Sequence, residues 1–223
     1  KPVNCHKVIY DTYGDLWLCS KIRGLYKISV DPFTKIEINP LYSSSLTSFY
    51  HITKNGTTLI STESGQTHIS TDKLKKDFTT FNFQTTAVCE FNNITFIGTY
   101  EGLKLLNANH TGFTDFPIKD ISKKHVTFLF AGQKTIWIGI KDEGIIRYNP
   151  ITKEQSWFRK LYSNFPDNFY TAQKSFDGKY IVFGTENGLH HFDLNSKTFR
   201  SISDIPLKLG QKSISSTIDN FGT

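Results

Sequence analysis

Apolar residues along this chain fall in short β-branched and aromatic runs separated by polar turns, and the cleanest example is Thr135–Phe158, TIWIGIKDEGIIRYNPITKEQSWF. Residues 135–140 form one run, Lys141–Gly144 has turn character, and Ile145–Tyr148 forms a second run, a pattern that predicts a β-hairpin. The same pattern stands at Leu16–Ile28, Thr58–Ile69, Thr95–Leu106 and Tyr180–Phe192. A glycine opens the second run each time, at Gly24, Gly65, Gly102, Gly144 and Gly188, in steps of 41, 37, 42 and 44 residues. A period of about forty residues carried by strands is the signature of propeller blades.

The rest of each period completes a four-stranded unit. Polar turns (Asp31-Pro32, Asn149-Pro150, Asn195-Ser196) lead into a third run such as Phe113–Ile118 or Thr198–Ile202, and a run such as Leu46–Ile52 or Val126–Ala131 precedes each hairpin. With the preceding run as strand A, each repeat reads A to D. The expected fold is all-β, with propeller blades of four antiparallel strands over residues 5–39, 46–83, 86–118, 125–159 and 168–203; residues 212–223 read as the start of a sixth. Leu25, Leu103, Ile145 and Leu189 lie one position after the repeat glycine, and Ile28, Ile69, Leu106, Tyr148 and Phe192 four after it. Those offsets fall on opposite faces of a strand, so both faces are packed, as in a blade held between two others. Gln66 is the one departure. Strand A of the fourth repeat, VTFLFA, is apolar enough to be buried on every side.

At 223 residues, with 38% hydrophobic, 14% aromatic and 21% charged, the composition is that of a folded, strand-rich domain, and the unbroken repeat argues for one continuous architecture. No apolar run approaches the roughly 20 residues of a membrane span, and KPVNCHK is not a signal peptide. The chain has no Met and begins at Lys1, so the expectation is a chain whose leader was removed or a piece excised from a longer protein. An open arc would expose the apolar faces of its end blades, so in isolation it is expected to associate.

The formal charge of +6 raises nucleic acid as a partner. The basic clusters, Lys73, Lys75 and Lys76 and then Lys119, Lys123 and Lys124, are broken by or adjacent to Asp and lack interleaved aromatics, so they read as solvated faces. Cys5 and Cys19 would lie on neighbouring strands, where a disulfide is conceivable if the register opposes them; buried free thiols, Cys89 included, are the simpler reading. The seven histidines are scattered, and the adjacent His190 and His191 point to opposite faces of a strand, which rules them out as a chelating pair. No HExxH, GxSxG, paired-Cys spacing or phosphate-cradling glycine loop occurs, so neither metal nor cofactor is expected. The sequons at Asn55, Asn93 and Asn109 carry no weight in a chain rich in Asn and Thr. Asp11–Trp17, DTYGDLW, partly resembles the Asp-box of sialidase-type propellers, a structural turn.

Candidate binding residues lie in the loops between strands B and C, which propeller geometry gathers at one end. They are Arg23, Tyr100, Glu101, Lys141, Glu143, Glu186 and Asn187, a polar rim suited to a polar ligand or a protein partner.

The repeat, WIG-x-x-x-x-G-[LI]-x-x-[FY]-[ND], resembles the two-component regulator propeller repeat. The match is closest at Trp137-Ile138-Gly139 with Gly144, Tyr148, Asn149 and Pro150, and at Phe183-Gly184-Thr185 with Gly188, Leu189, Phe192 and Asp193. In the first repeat Cys19-Ser20 replaces Gly-Thr, and in the second Ser61-Thr62 precedes Ser64-Gly65-Gln66. That resemblance implies the periplasmic sensor region of a hybrid two-component histidine kinase of gut Bacteroidetes, responding to oligosaccharides and controlling carbohydrate utilisation. It also implies a seven-bladed parent ring and a homodimeric receptor with further blades, an immunoglobulin-like domain, and a membrane helix outside this segment. This region would then be no enzyme. The competing readings are a propeller enzyme, such as a polysaccharide or streptogramin lyase or a glycosidase, and a protein-interaction scaffold; fold alone does not choose among them.

Overall fold

The computed structural model describes residues 5–12, 15–20, 24–28, 34–36, 47–71, 77–116, 118, 120–163 and 165–202. All regular structure among them is strand. The first blade holds β1 (Cys5–Tyr10), β2 (Leu16–Ser20), β3 (Gly24–Ile28) and β4 (Thr34–Ile36); the second β5 (Thr47–Ile52), β6 (Thr58–Thr62), β7 (Thr67–Ser70) and β8 (Thr79–Phe81). The third holds β9 (Thr85–Phe91), β10 (Ile94–Thr99), β11 (Gly102–Leu106) and β12 (Phe113–Phe116). The fourth is β13 (Val126–Ala131), β14 (Ile136–Ile140), β15 (Gly144–Tyr148) and β16 (Gln155–Phe158); the fifth β17 (Phe169–Lys174), β18 (Tyr180–Thr185), β19 (Gly188–Asp193) and β20 (Thr198–Ser201). Each sheet runs A-B-C-D in sequence order, so every connection is a hairpin. These are propeller blades of four antiparallel strands. The expected sixth-blade start at 212–223 lies outside the described residues.

Strand A of the first, second, fourth and fifth blades carries an irregularity at the same place, between Cys5 and Lys7, Thr47 and Phe49, Val126 and Phe128, and Phe169 and Thr171. A bulge leaves one residue unpaired and bends the strand. One step beyond it each blade places a small residue of strand B: Cys19, Ser61, Gly139 or Gly184. The slot is small because the next blade's strand A crosses it. A Cβ added to Gly98 on β10 would stand 2.7 Å from Val126 Cγ1 on β13, and one added to Gly139 would meet Phe128 Cβ at 3.0 Å and Phe169 Cβ at 3.4 Å. Gly98→Ala is therefore expected to cost about 1–3 kcal/mol through overpacking, read as a lowered thermal midpoint; an unchanged midpoint would show that the slot has slack.

The structure divides into two compact units, residues 1–86 with 104–115, and residues 87–103 with 116–223, the third sheet contributing strands to both. In the second unit, Phe128, Trp137, Ile145, Phe165, Phe169, Ile181, Phe183, Phe192 and Phe199 form one buried cluster. Both faces of the hairpin strands are buried, β14 at every position, as the two-face apolar pattern requires.

In the first unit Trp17, Cys19, Leu25, Tyr50 and Ile60 pack together. The Asp11 carboxylate accepts the Trp17 indole N–H at 2.8 Å and the Asp15 N–H at 3.0 Å, so Asp11 ties the end of β1 to the start of β2. Lys27 pairs with Asp15 and lies over the Trp17 ring. The free thiols are Cys5, exposed, and Cys19 and Cys89, buried; the ladder opposes Cys5 to Ser20 and Cys19 to Lys7. Burial raises the Cys19 thiol, and it pushes Cys89 up to about 12, so both stay protonated.

The Gln66 departure has a physical cause. Ser61 pairs with Thr67, as Gly139 pairs with Ile145, so the two B–C loops are equally long, Gly65 lies inside the turn one position before the place that Gly144 holds, and Thr67, not Gln66, fills the packed slot. Ile69 consequently pairs with Leu59, the place of Arg147 opposite Trp137, and shares a face with Thr67; this corrects its assignment to the opposite face. A hydroxyl in that slot needs partners. Thr67 Oγ1 donates to the Phe83 carbonyl at 2.7 Å and lies 2.9 Å from Thr85 Oγ1, while the Thr85 N–H donates to Ser61 Oγ at 2.9 Å.

Candidate functional site

In an antiparallel hairpin the start of strand A sits beside the end of strand B, so each B–C loop has the residue preceding strand A as its neighbour. In the second unit this brings three B–C loops into one connected surface. Tyr100, from the β10–β11 loop, stacks on His125, which precedes β13, with ring centroids 4.1 Å apart and planes 28° from parallel. Tyr100 is half exposed at 50% and so presents an aromatic ring to solvent. Burial lowers the His125 pKa, the charge of Lys141 lowers it further and Asp142 opposes, so its imidazole is neutral at pH 7. The Lys141 N–H donates to the His125 carbonyl at 3.0 Å, fixing that loop against the stack.

Asn168, which precedes β17, is the hub of the adjoining part. It is buried, and its Oδ1 accepts the Asp142 N–H at 2.9 Å while its Nδ2 donates to Asp142 Oδ1 at 2.9 Å and Glu186 Oε2 at 2.8 Å. Glu186 Oε1 in turn accepts the N–H groups of Asp167 at 2.8 Å and Asn168 at 3.2 Å. These contacts hold Asp142 in a left-handed conformation, φ 59°, that a residue other than glycine seldom adopts. Tyr170, the bulge residue of β17, feels the charges of Glu186 and Asp142; with burial as the first cause, its phenol pKa is raised.

Glu143 accepts from Lys124 Nζ at 2.6 Å and Arg159 Nη2 at 3.1 Å, and the Arg159 guanidinium lies 3.4 Å from the centroid of Trp157. Asn187 Oδ1 accepts from Thr185 Oγ1 at 3.0 Å and lies 3.3 Å from His190 Nε2, whose Nδ1 is 2.6 Å from the Tyr162 hydroxyl. The Glu101 N–H donates to Thr99 Oγ1 at 3.0 Å, and its side chain is exposed. Of the predicted rim residues, then, Tyr100 and Lys141 face solvent beside His125, whereas the carboxylates of Glu186 and Glu143 and the amide of Asn187 are engaged in holding loops. Arg23 lies outside the described residues.

His125, Asn168 and Tyr170 lie outside the B–C loops in which the sequence pattern places the candidate residues. Among the described residues no group of His, Cys, Asp and Glu has the arrangement of a metal site. The surface can offer an aromatic face, an ammonium group and hydroxyls to a polar ligand.

His190 is 1% exposed and burial lowers its pKa from 6.5 to about 4, with the charge of His191 adding to the effect. The unfolded chain therefore binds the proton first. Stability is full above about pH 6.5 and falls as pH drops toward 4, by roughly 2 kcal/mol at about pH 5. Burial lowers the pKa of His68, His125 and His191 too, so they add in the same direction. Urea titrations between neutral and mildly acidic pH check this; a midpoint unmoved over that interval would contradict it.

No family model matches the sequence, and neither does any curated protein. Solved structures do match in fold. The extracellular domain of the hybrid two-component system BT3049 from B. thetaiotaomicron is 17% identical with a TM-score of 0.73, covering 100% of this chain and 32% of that one. PorZ, a surface component of the type-IX secretion system of Porphyromonas gingivalis, is 13% identical with a TM-score of 0.65, covering 83% of this chain and 31% of that one. Virginiamycin B lyase from Staphylococcus aureus, solved with quinupristin, is 11% identical with a TM-score of 0.69, covering 88% and 69%. The chain thus spans about a third of the length of the first two. Among the described residues no helix is long and apolar enough to cross a membrane.

Proposed function

We propose that this chain is an extracytoplasmic ligand-binding part of a hybrid two-component signalling receptor, and that it responds to oligosaccharides. The observation that carries this reading is the Tyr100–His125 stack beside Lys141, held by the Asp142–Asn168–Glu186 network. A sugar ring offers an apolar face to an aromatic ring and hydroxyls to polar groups at its edge, and rigid strands keep both in place. The fold likeness to the BT3049 extracellular domain supports the receptor context. In that context the segment lies in the periplasm and packs against further blades and an immunoglobulin-like domain of a dimeric parent. A ligand signals by preferring one arrangement of the assembly, and shifts it only by its difference in affinity for the two.

A propeller enzyme is the second reading, favoured by the fold likeness to the lyase. One experiment separates the two. The purified protein is mixed with a library of plant and host oligosaccharides, and bound and free fractions are analysed by mass spectrometry. A ligand recovered intact supports the binding module; steady product formation, lost on replacing Glu101 or Glu143, establishes the enzyme instead.

A further inference from the structure

We propose that the Asn55–Gly56 turn is a site of spontaneous succinimide chemistry, by which the chain deamidates itself and loosens a tie between two of its turns. Asn55 is exposed in the β5–β6 turn and is followed by the one residue without a side chain to shield its nitrogen. Gly56 has φ 83°, and a Cβ built there would have nothing within 4 Å, so the space around the turn is open. The Asn55 amide is held by Nδ2 meeting His110 Nε2 at 3.2 Å, and His110 also meets Thr57 Oγ1 at 3.0 Å; these contacts join the turn at 53–57 to the one at 107–112.

The reaction balances with water alone. The Gly56 nitrogen loses its proton to hydroxide and attacks Asn55 Cγ; the new N–Cγ bond closes a five-membered ring, the Cγ–Nδ2 bond breaks, and the nitrogen takes a proton from water and leaves as ammonia. Water then opens the ring at either carbonyl, giving aspartate or isoaspartate, the latter with the main chain routed through Cβ. The Gly56 N–H donates to the Thr53 carbonyl at 2.8 Å, so the step waits on opening of the turn. In either product the Nδ2 contact to His110 is gone, and in isoaspartate the lengthened backbone no longer matches the turn.

Asn187–Gly188 is an internal comparison. There Asn187 Oδ1 is clamped by Thr185 Oγ1 and His190, and Gly188 is buried, so the side chain cannot swing over the following nitrogen without breaking those contacts. The test is incubation of the full chain at neutral and mildly alkaline pH, followed by peptide mass mapping and enzymatic methylation of isoaspartate. Expected are an amide-to-acid mass gain at position 55, several-fold faster than at 187 and faster as pH rises, and a several-fold slowing in Asn55→Gln, whose extra methylene would make the ring six-membered and which leaves the left-handed Gly56 in place. An intact Asn55, equal rates at the two positions, or an Asn55→Gln rate equal to the original would overturn the proposal.

Discussion

Trp137→Ala is expected to lower the stability of the second unit by about 3–5 kcal/mol, the range for removing a large aromatic from a packed core. Trp137 is 1% exposed, and its ring lies 4.9 Å from Phe192, 5.4 Å from Phe183, 5.7 Å from Phe158 and 6.0 Å from Phe199, centroid to centroid. These partners come from β16, β18, β19 and β20, so the indole bridges the fourth and fifth blades. Deleting it leaves a cavity that two facing sheets cannot collapse to fill, because each backbone is fixed by its own ladder. Denaturant unfolding followed by aromatic fluorescence and circular dichroism checks this. A loss under about 1 kcal/mol would mean that the blades close over the gap.

Asn168→Ala is expected to cost about 3 kcal/mol, since it removes bonds to two carboxylates and leaves them partly buried without that donor. The effect should extend beyond stability. Asp142 would lose both of its contacts to Asn168, and its left-handed backbone would relax toward ordinary conformations. The β14–β15 loop carrying Lys141 would loosen with it. Amide hydrogen exchange at residues 141–144 and 186–188 should rise in this variant and at least as much in Asn168→Asp, which sets a third carboxylate against those of Asp142 and Glu186. Equal exchange in Asn168→Ala and the unchanged protein would show that the loops hold themselves.

Much of this architecture is legible in the sequence because a blade repeats its physics. The hairpins around Gly24, Gly102, Gly144 and Gly188 can be placed from apolar runs alone, and two-face packing follows from the offsets of Leu25 and Tyr148. In the second blade Ser61 and Thr67 put a hydroxyl pair where Gly139 and Ile145 stand in the fourth, and Gly65 lies one position before the place of Gly144, so any count that starts at Gly65 is off by one. Half of the candidate site was legible. Tyr100 and Lys141 could be found as polar loop residues, but whether Glu186 meets solvent or the main chain of another loop depends on contacts across 18 and 19 residues of sequence. His125 and Asn168 carried a signal that topology supplies: the position before strand A always borders a B–C loop. Their roles could have been read by asking which polar residue stands there in each repeat.

The most direct test of the binding account is a paired titration of the unchanged protein, Tyr100→Ala and His125→Ala with the oligosaccharide recovered from the library, each variant first shown to be folded by circular dichroism. Loss of the stacked face is expected to weaken binding roughly tenfold, equivalent to about 1.4 kcal/mol, in Tyr100→Ala, with a smaller loss in His125→Ala and no product in any mixture. Unchanged affinity in both variants, or turnover of the oligosaccharide by the unchanged protein, would contradict the account.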